Sequence, residues 1–305
     1  MAVDQNLSNF SDLTFRTALV VYVVALFMSL YYYGRMQTVI DARRAGEADQ
    51  AAEDFARKLG GMLQGLIWLG IIIHFAAIVL RGLAVHRFPL GNLYEYVLTV
   101  TAGAMAAAAI AFQRKEWRTL WPWLLTPILL LMFYGGTKLY AESAPVVPAL
   151  QSYWLPVHVT VVSLGASIGL LSGLLSILYL IRRANPRGEE SGIGGLIAKP
   201  LPTAKKLDQL AYRTAIITLP TLGLGIVLGA IWAEAAWGRP WGWDPKETVS
   251  FATWILYAAY LHARYTTSWR KAAPWINVLA MATMIFNLFF INQVVSGLHS
   301  YAGLN

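Results

Sequence analysis

The chain has 305 residues, of which 57% are hydrophobic and only 13% are charged. Because soluble domains carry about one quarter charged residues, this composition excludes an ordinary soluble globular protein and a disordered chain. The net charge of +8 is spread thinly along the sequence, so we predict no nucleic-acid partner. The absence of Cys excludes disulfides, a thiolate metal site and a thiol nucleophile within this chain.

Apolar segments long enough to span a bilayer recur along the sequence. They lie at residues 13–33, 61–84, 93–112, 119–133, 154–181, 210–232, 248–265 and 275–295. The first lacks the basic start and small-residue cleavage site of a signal peptide, so we interpret it as a retained span. Pro122 and Pro127 interrupt the fourth. We therefore predict an all-α polytopic membrane protein with about eight transmembrane helices, forming a single integral membrane domain over 1–305.

The distribution of basic residues predicts the orientation of these spans. When alternate loops are assigned to opposite sides, 18 Lys and Arg residues fall on one side and 6 on the other. Cytoplasmic loops carry the excess of basic residues in membrane proteins. We therefore predict that both termini lie outside. The Trp-rich loop between the sixth and seventh spans then lies on the outer face.

Small residues in the sixth span predict a close helix contact. Gly225 and Gly229 are spaced as GxxxG. Glycines at this spacing let two membrane helices approach closely, so we expect the sixth span to pack tightly on a neighbour.

Residues 232–248, which read WAEAAWGRPWGWDPKET, form the most unusual segment. They contain Trp232, Trp237, Trp241 and Trp243, four of the 12 Trp residues. Trp is also enriched in ordinary interfacial belts, but four indoles interleaved with Gly and Pro exceed what anchoring needs. Such a shelf suits a large flat apolar ligand. Arg239 and Lys246 either meet carboxylates at the edge of that ligand or extend to the interface.

The end of this loop has the pattern of a helix start. Asp244 suits the N-cap, Pro245 the first helical position and Glu247 the third position of a capping box. The sequence leaves open whether Asp244 is this cap or a contact to a ligand.

Two histidines are predicted at the depth of the Trp-rich loop. His158 lies near the outer end of the fifth span, and His299 lies just past the outer end of the eighth. Each alone is typical of an interfacial residue. Together, beside a Trp-rich loop, they could supply the two axial imidazoles of one haem iron.

The other histidines have separate interpretations. His262 lies in the inner half of the seventh span and His74 near the middle of the second, where ionisable groups are costly and are candidates for function. A neutral histidine bonded to a neighbouring helix is the alternative for both. His86 lies in an outer loop, where we expect a surface role. Glu95, in GNLYEY, either caps the third helix or belongs to a binding site.

Several motifs resemble one family in their joint order. WGWDPKET resembles the signature of WWD-domain haem-handling membrane proteins. GNLYEY, WLPVH, the Trp-rich loop, LHAR and SGLHSYA follow one another as in the CcsA (ResC) membrane subunits of system II cytochrome c synthases. The resemblance covers the chain from the second span to the C-terminus.

This resemblance implies a function in cytochrome c biogenesis. Haem b would enter from the cytoplasmic side, be held in the membrane by His262, and pass to an outer site with His158 and His299 as iron ligands. Trp237, Trp241, Trp243, Asp244 and Arg239 would contact it there. Haem vinyl groups would then form thioethers with the CXXCH thiols of an apocytochrome c. The family implies haem lyase activity dependent on a CcsB (ResB) partner, a thioredoxin-like thiol reductant pathway, and a bacterial plasma membrane or thylakoid location with an extracytoplasmic active site.

Other functions fit parts of the same pattern. A system I haem-handling protein shares the WWD loop and its flanking histidines. A haem transporter would bind haem without forming the thioethers. A structural scaffold for a respiratory complex would bind no haem and would tolerate changes at His158 and His299.

Overall fold

The computed structural model of the protein describes residues 3–146 and 148–299. These residues form helices and connecting loops, with no strand among them. The α-helices are α1 (Gln5–Ala45), α2 (Gln50–Val85), α3 (Leu93–Ala111), α4 (Trp121–Thr137), α5 (Trp154–Ala184), α6 (Gly192–Ala198), α7 (Ala204–Trp237), α8 (Pro245–Tyr265) and α9 (Ala273–Phe286). Short 3-10 helices cover Lys115–Leu120 and Pro148–Gln151, and one π-helical turn covers Asn287–Ile291.

Short polar side chains begin most of the long helices. Asp4, Asp49, Asn92, Thr203 and Asp244 each accept a hydrogen bond from a backbone N–H of the following turn. These bonds satisfy N–H groups that have no partner inside the helix. The helix starts are therefore encoded locally.

Seven helical segments are long and apolar enough to cross a membrane among the described residues. The predicted seventh span, 248–265, forms α8 but is not one of them. Polar residues explain the difference, because Lys246, Glu247, His262 and Arg264 all lie on this 21-residue helix. The fourth predicted span forms as α4 and runs through Pro127, which lies inside it.

The helices pack into two hydrophobic clusters that share α5 and α7. One cluster joins α1 to α4 with parts of α5 and α7, and includes Tyr22, Leu98 and Trp121. The other joins α7, α8 and α9, with Tyr257 and Tyr260 at its centre and part of α5 packed against it. α5 therefore connects the two halves of the bundle.

The contact between α5 and α7 depends on glycine. A Cβ added at Gly225 of α7 would lie 2.7 Å from Cα of Val162 in α5, and one added at Gly229 would lie 2.7 Å from Cε1 of His158. Gly165 of α5 makes the reciprocal approach, because its Cβ would lie 2.8 Å from the backbone N of Leu222. The close packing predicted from the GxxxG spacing is confirmed, and α5 is the neighbour.

Candidate functional site

A cavity lies between α5, α7, α8 and the residues that follow α9. Its lining includes His158, Trp232, Trp237, Trp241, Lys246 and His299. Residues Gly91 to Leu93 at the start of α3 line another side of it. The two histidines predicted to share a site therefore face one cavity, although they lie 141 positions apart in the sequence.

The imidazole of His158 is held by a backbone carbonyl. Its Nδ1 lies 2.8 Å from the carbonyl oxygen of Gly225. A carbonyl oxygen can only accept, so Nδ1 carries the proton and Nε2 carries the lone pair. Gly229 leaves the space in which this ring lies. The α5–α7 contact thus sets both the position and the tautomer of His158.

The imidazole of His299 is held by a carboxylate. Its Nδ1 lies 2.9 Å from Oδ1 of Asp244, whose Oδ2 accepts the backbone N–H of Leu298 at 2.8 Å. An ionised carboxylate accepts only, so Nδ1 again donates and Nε2 is the nitrogen free to ligate. A carboxylate that accepts the second N–H of a histidine is a common partner of metal-binding imidazoles.

Asp244 also caps α8. Its Oδ1 accepts the N–H of Lys246 at 3.0 Å, and Glu247 accepts the N–H of Asp244 at 3.1 Å, which completes the predicted capping box. Burial acts to raise the pKa of Asp244, but the hydrogen bond from His299 and those from two backbone N–H groups lower it to about 2. Burial lowers the pKa of His299. At neutral pH the pair is therefore a carboxylate and a neutral imidazole.

Two tryptophans pack beside the two imidazoles. The ring of Trp232 is nearly parallel to that of His158, with centroids 5.9 Å apart, and lies 5.8 Å from that of His299. Trp237 contacts Trp232 at 4.7 Å and His299 at 5.1 Å. The two tryptophans therefore join both histidines into one apolar wall.

The Trp-rich loop is shorter than the predicted 232–248. α7 continues to Trp237, because Ala and Glu favour helix through WAEAAW, and it ends where Gly238 adopts a φ of +69°. Trp232 and Trp237 are consequently helical residues. The loop itself comprises residues 238–244.

The loop residues differ in their orientation. Trp241 lines the cavity. Trp243 does not, since its side chain is 67% exposed and its φ of +57° turns it outward. Arg239 is also absent from the lining, because its guanidinium lies over the backbone of Gly242, where an added Cβ would be 1.2 Å from Nη1. The structure therefore does not bring these two predicted contacts into the cavity.

The remaining histidines lie apart from the cavity. His262 is exposed in the last turn of α8. His74 is fully buried, with its ring edge-on to Phe15 and Tyr22 at 5.7 and 5.9 Å. His86 ends α2 with a φ of +52°. His74 is thus a core residue between α1 and α2, and His262 faces outward from the bundle.

Glu95 anchors the α3 side of the cavity. It is fully buried and pairs with Arg81 at 3.1 Å and Arg87 at 2.8 Å. It also accepts the N–H of Gly91 at 2.7 Å, while Asn92 is the N-cap of α3. Glu95 therefore fixes the segment that lines the cavity and does not itself line it.

Three polar residues on α8 and at the end of α9 line the cavity but were not predicted from the sequence. Ser250, Asn287 and Asn292 line the cavity beside Lys246. The available signal was the presence of two amides in an apolar span, since polar side chains at that depth usually bond to a neighbouring helix. Only the packing of α8 against α9 shows that these side chains line the cavity.

Comparisons with known proteins identify a family and several similar chains. A family model described as Cytochrome C assembly protein matches residues 90–299, which include both cavity histidines. The cytochrome c biogenesis protein CcsA of Guillardia theta is 37% identical over 235 residues, covering 72% of this chain and 78% of that protein. CcsA of Synechococcus sp. (strain RCC307) is 32% identical over 264 residues, covering 79% and 84%.

A solved structure shares the fold. The cytochrome c haem lyase CcmF matches with a TM-score of 0.62 at 18% sequence identity, covering 95% of this chain. The match covers 47% of CcmF, so this chain spans about half the length of that protein. At this identity the likeness describes the arrangement of helices alone.

Proposed function

The chain belongs to the cytochrome c assembly protein family and acts in cytochrome c biogenesis, and from this premise we propose that it binds haem b between His158 and His299. It presents the haem there for covalent attachment to apocytochrome c. One observation carries the proposal: two imidazoles on separate elements line one cavity, and each donates through Nδ1 to a fixed acceptor. Both Nε2 lone pairs are therefore available to haem iron.

The residues of the chain position the substrate for attachment. Trp232, Trp237 and Trp241 offer aromatic faces to a flat macrocycle. Each thioether forms when a thiol adds across a haem vinyl group, so that sulfur bonds to one vinyl carbon and the thiol proton goes to the other. No oxidant is consumed. Because this chain contains no Cys, both thiols come from the CXXCH segment of the apocytochrome. The contribution of the protein is orientation of the two reactants.

We place the cavity on the extracytoplasmic side of a bacterial plasma membrane or thylakoid membrane, with both termini on that side and α8 as the eighth crossing. The excess of Lys and Arg in the opposite loops supports this orientation. A thioredoxin-like pathway would keep the client thiols reduced on that side.

A CcsB (ResB) subunit completes the proposed assembly. The exposed His262 on α8 supports this, because an imidazole that faces outward can ligate haem together with a residue of a neighbouring subunit. Haem would enter from the cytoplasmic side, bind at His262, and then move to the outer cavity. His74 has no part in this path, because it is buried among aromatic rings of α1 and α2.

The absorption spectrum of the protein purified with its CcsB-type partner tests the proposal. We expect a low-spin haem spectrum, and we expect loss of covalent cytochrome c when the chain is deleted from its host. A complex without haem would support the scaffold alternative and contradict the proposal. Bound haem together with normal thioether formation in the deletion strain would support a transporter instead.

Trp241 and Trp243 should differ in their effect on haem. We expect Trp241→Ala to reduce haem retention several-fold, because an aromatic wall of the cavity is lost. We expect Trp243→Ala to retain haem as the wild type does, because this side chain is exposed outside the cavity. Haem content per protein after detergent purification measures both, and equal losses would contradict the assigned orientations.

A further inference from the structure

The cavity has a charged side chain that the histidines and tryptophans do not explain. Lys246 is the single Lys or Arg among its described lining residues. Its ammonium donates to Oδ1 of Asn292, and it forms none of the ion pairs found among the described residues. Lys246 is half-buried. A cation partly removed from water with only a neutral amide as partner is unfavourable, and an anion would offset that cost.

The neighbouring carboxylates are already engaged. Asp244 accepts from the imidazole of His299 and from the backbone N–H groups of Leu298 and Lys246. Glu247 accepts the backbone N–H groups of Gly242 and Asp244 at 2.9 and 3.1 Å. Both acids complete the start of α8 and leave the ammonium of Lys246 without a carboxylate of its own.

Two amides accompany Lys246 on the same wall. Asn287 donates to Oγ of Ser250 at 2.8 Å, while its own Oδ1 is buried without a hydrogen-bond partner among the described residues. The π-helical turn at Asn287–Ile291 begins at the first of these amides and ends directly before the second, Asn292. π-helical turns are frequent at functional sites. The wall formed by Lys246, Ser250, Asn287 and Asn292, which we call the polar wall, faces the same space as the tryptophans.

We propose that the polar wall is a carboxylate subsite, in which Lys246 binds a propionate of the haem held by His158 and His299. This inference rests on the proposed function. The amide Nδ2 groups of Asn287 and Asn292 supply further donors after small rotations, and an ionic hydrogen bond to Lys246 is stronger than one between neutral groups. Arg239, the other basic residue predicted to meet carboxylates, lies outside the cavity. The subsite orients the macrocycle, because it fixes which edge points toward α9.

Binding of haemin and of its dimethyl ester tests the subsite. The ester has the same ring and iron but no carboxylates. In the complex with its CcsB-type partner, stripped of endogenous haem, we expect haemin to bind about tenfold or more tightly than the ester, as measured by absorption titration. Lys246→Met should remove this preference by weakening haemin binding alone. Lys246→Arg should retain it.

Two control variants locate the effect. Lys138→Met removes an exposed lysine at the end of α4, and Arg239→Gln removes the basic residue of the loop. Both should preserve the preference for haemin. Equal affinity of the wild type for acid and ester, or loss of the preference in Arg239→Gln instead of Lys246→Met, would overturn the inference. If the wild type bound neither compound through two imidazoles, the proposed function itself would be overturned. Unchanged binding of the ester by Lys246→Met verifies that this variant is folded.

Discussion

Replacing either His158 or His299 with alanine is expected to abolish the low-spin haem spectrum and covalent cytochrome c formation. Each variant removes one of the two imidazoles that line the cavity. Loss of a hydrogen-bond partner behind a metal ligand typically costs about 10–100-fold in affinity or activity, so loss of the ligand itself should exceed this range. Haem retention and haem-stained cytochrome c measure the effect. Added imidazole should restore the low-spin spectrum, because it can fill the vacated iron position.

His86 and Asp244 provide comparisons for this experiment. His86→Asn should behave as the wild type, because His86 ends α2 outside the cavity and Asn tolerates its positive φ. Asp244→Asn should give an intermediate loss of about 10–100-fold, because the amide replaces one of the two oxygens that hold His299 and Leu298. An unchanged spectrum in His158→Ala or His299→Ala would rule out the assigned iron ligands.

Gly225→Ala is expected to destabilise the bundle and displace His158 together. The added Cβ would lie 2.7 Å from Cα and 3.0 Å from the backbone N of Val162, so α5 and α7 must move apart. Overpacking of this kind costs about 1–3 kcal/mol. The same movement would lengthen the 2.8 Å hydrogen bond from His158 to the Gly225 carbonyl. Thermal unfolding in detergent and the haem spectrum should both report a loss.

Gly103→Ala is the matched control for this substitution. Gly103 lies within α3, and an added Cβ there would have no atom within 4 Å. Alanine favours helix over glycine by about 0.5–1 kcal/mol, so this variant should be as stable as the wild type or slightly more so. Equal stability of the Gly225 and Gly103 variants would contradict the tight α5–α7 contact.

The sequence predicted the helical architecture because helix signals are local. Apolar segments of sufficient length identified the long helices. The capping box at Asp244 and Glu247 was predictable because its bonds join residues only three positions apart. The seventh predicted span forms α8, but polar residues make this helix less apolar than the seven candidate spans. The orientation in the membrane stays a prediction.

Only the tertiary structure decided which side chains share the cavity. Asp244 meets His299 across 55 positions, and Gly225 meets His158 across 67, so no local pattern could reveal these bonds. Within one short segment Lys246 faces the cavity while Trp243 is exposed outside it. Composition therefore determined a helical membrane protein, and the motifs predicted a site of histidines and tryptophans within it. The rotation of each helix against its neighbours determined which residues form that site, because packing sets the direction of every side chain.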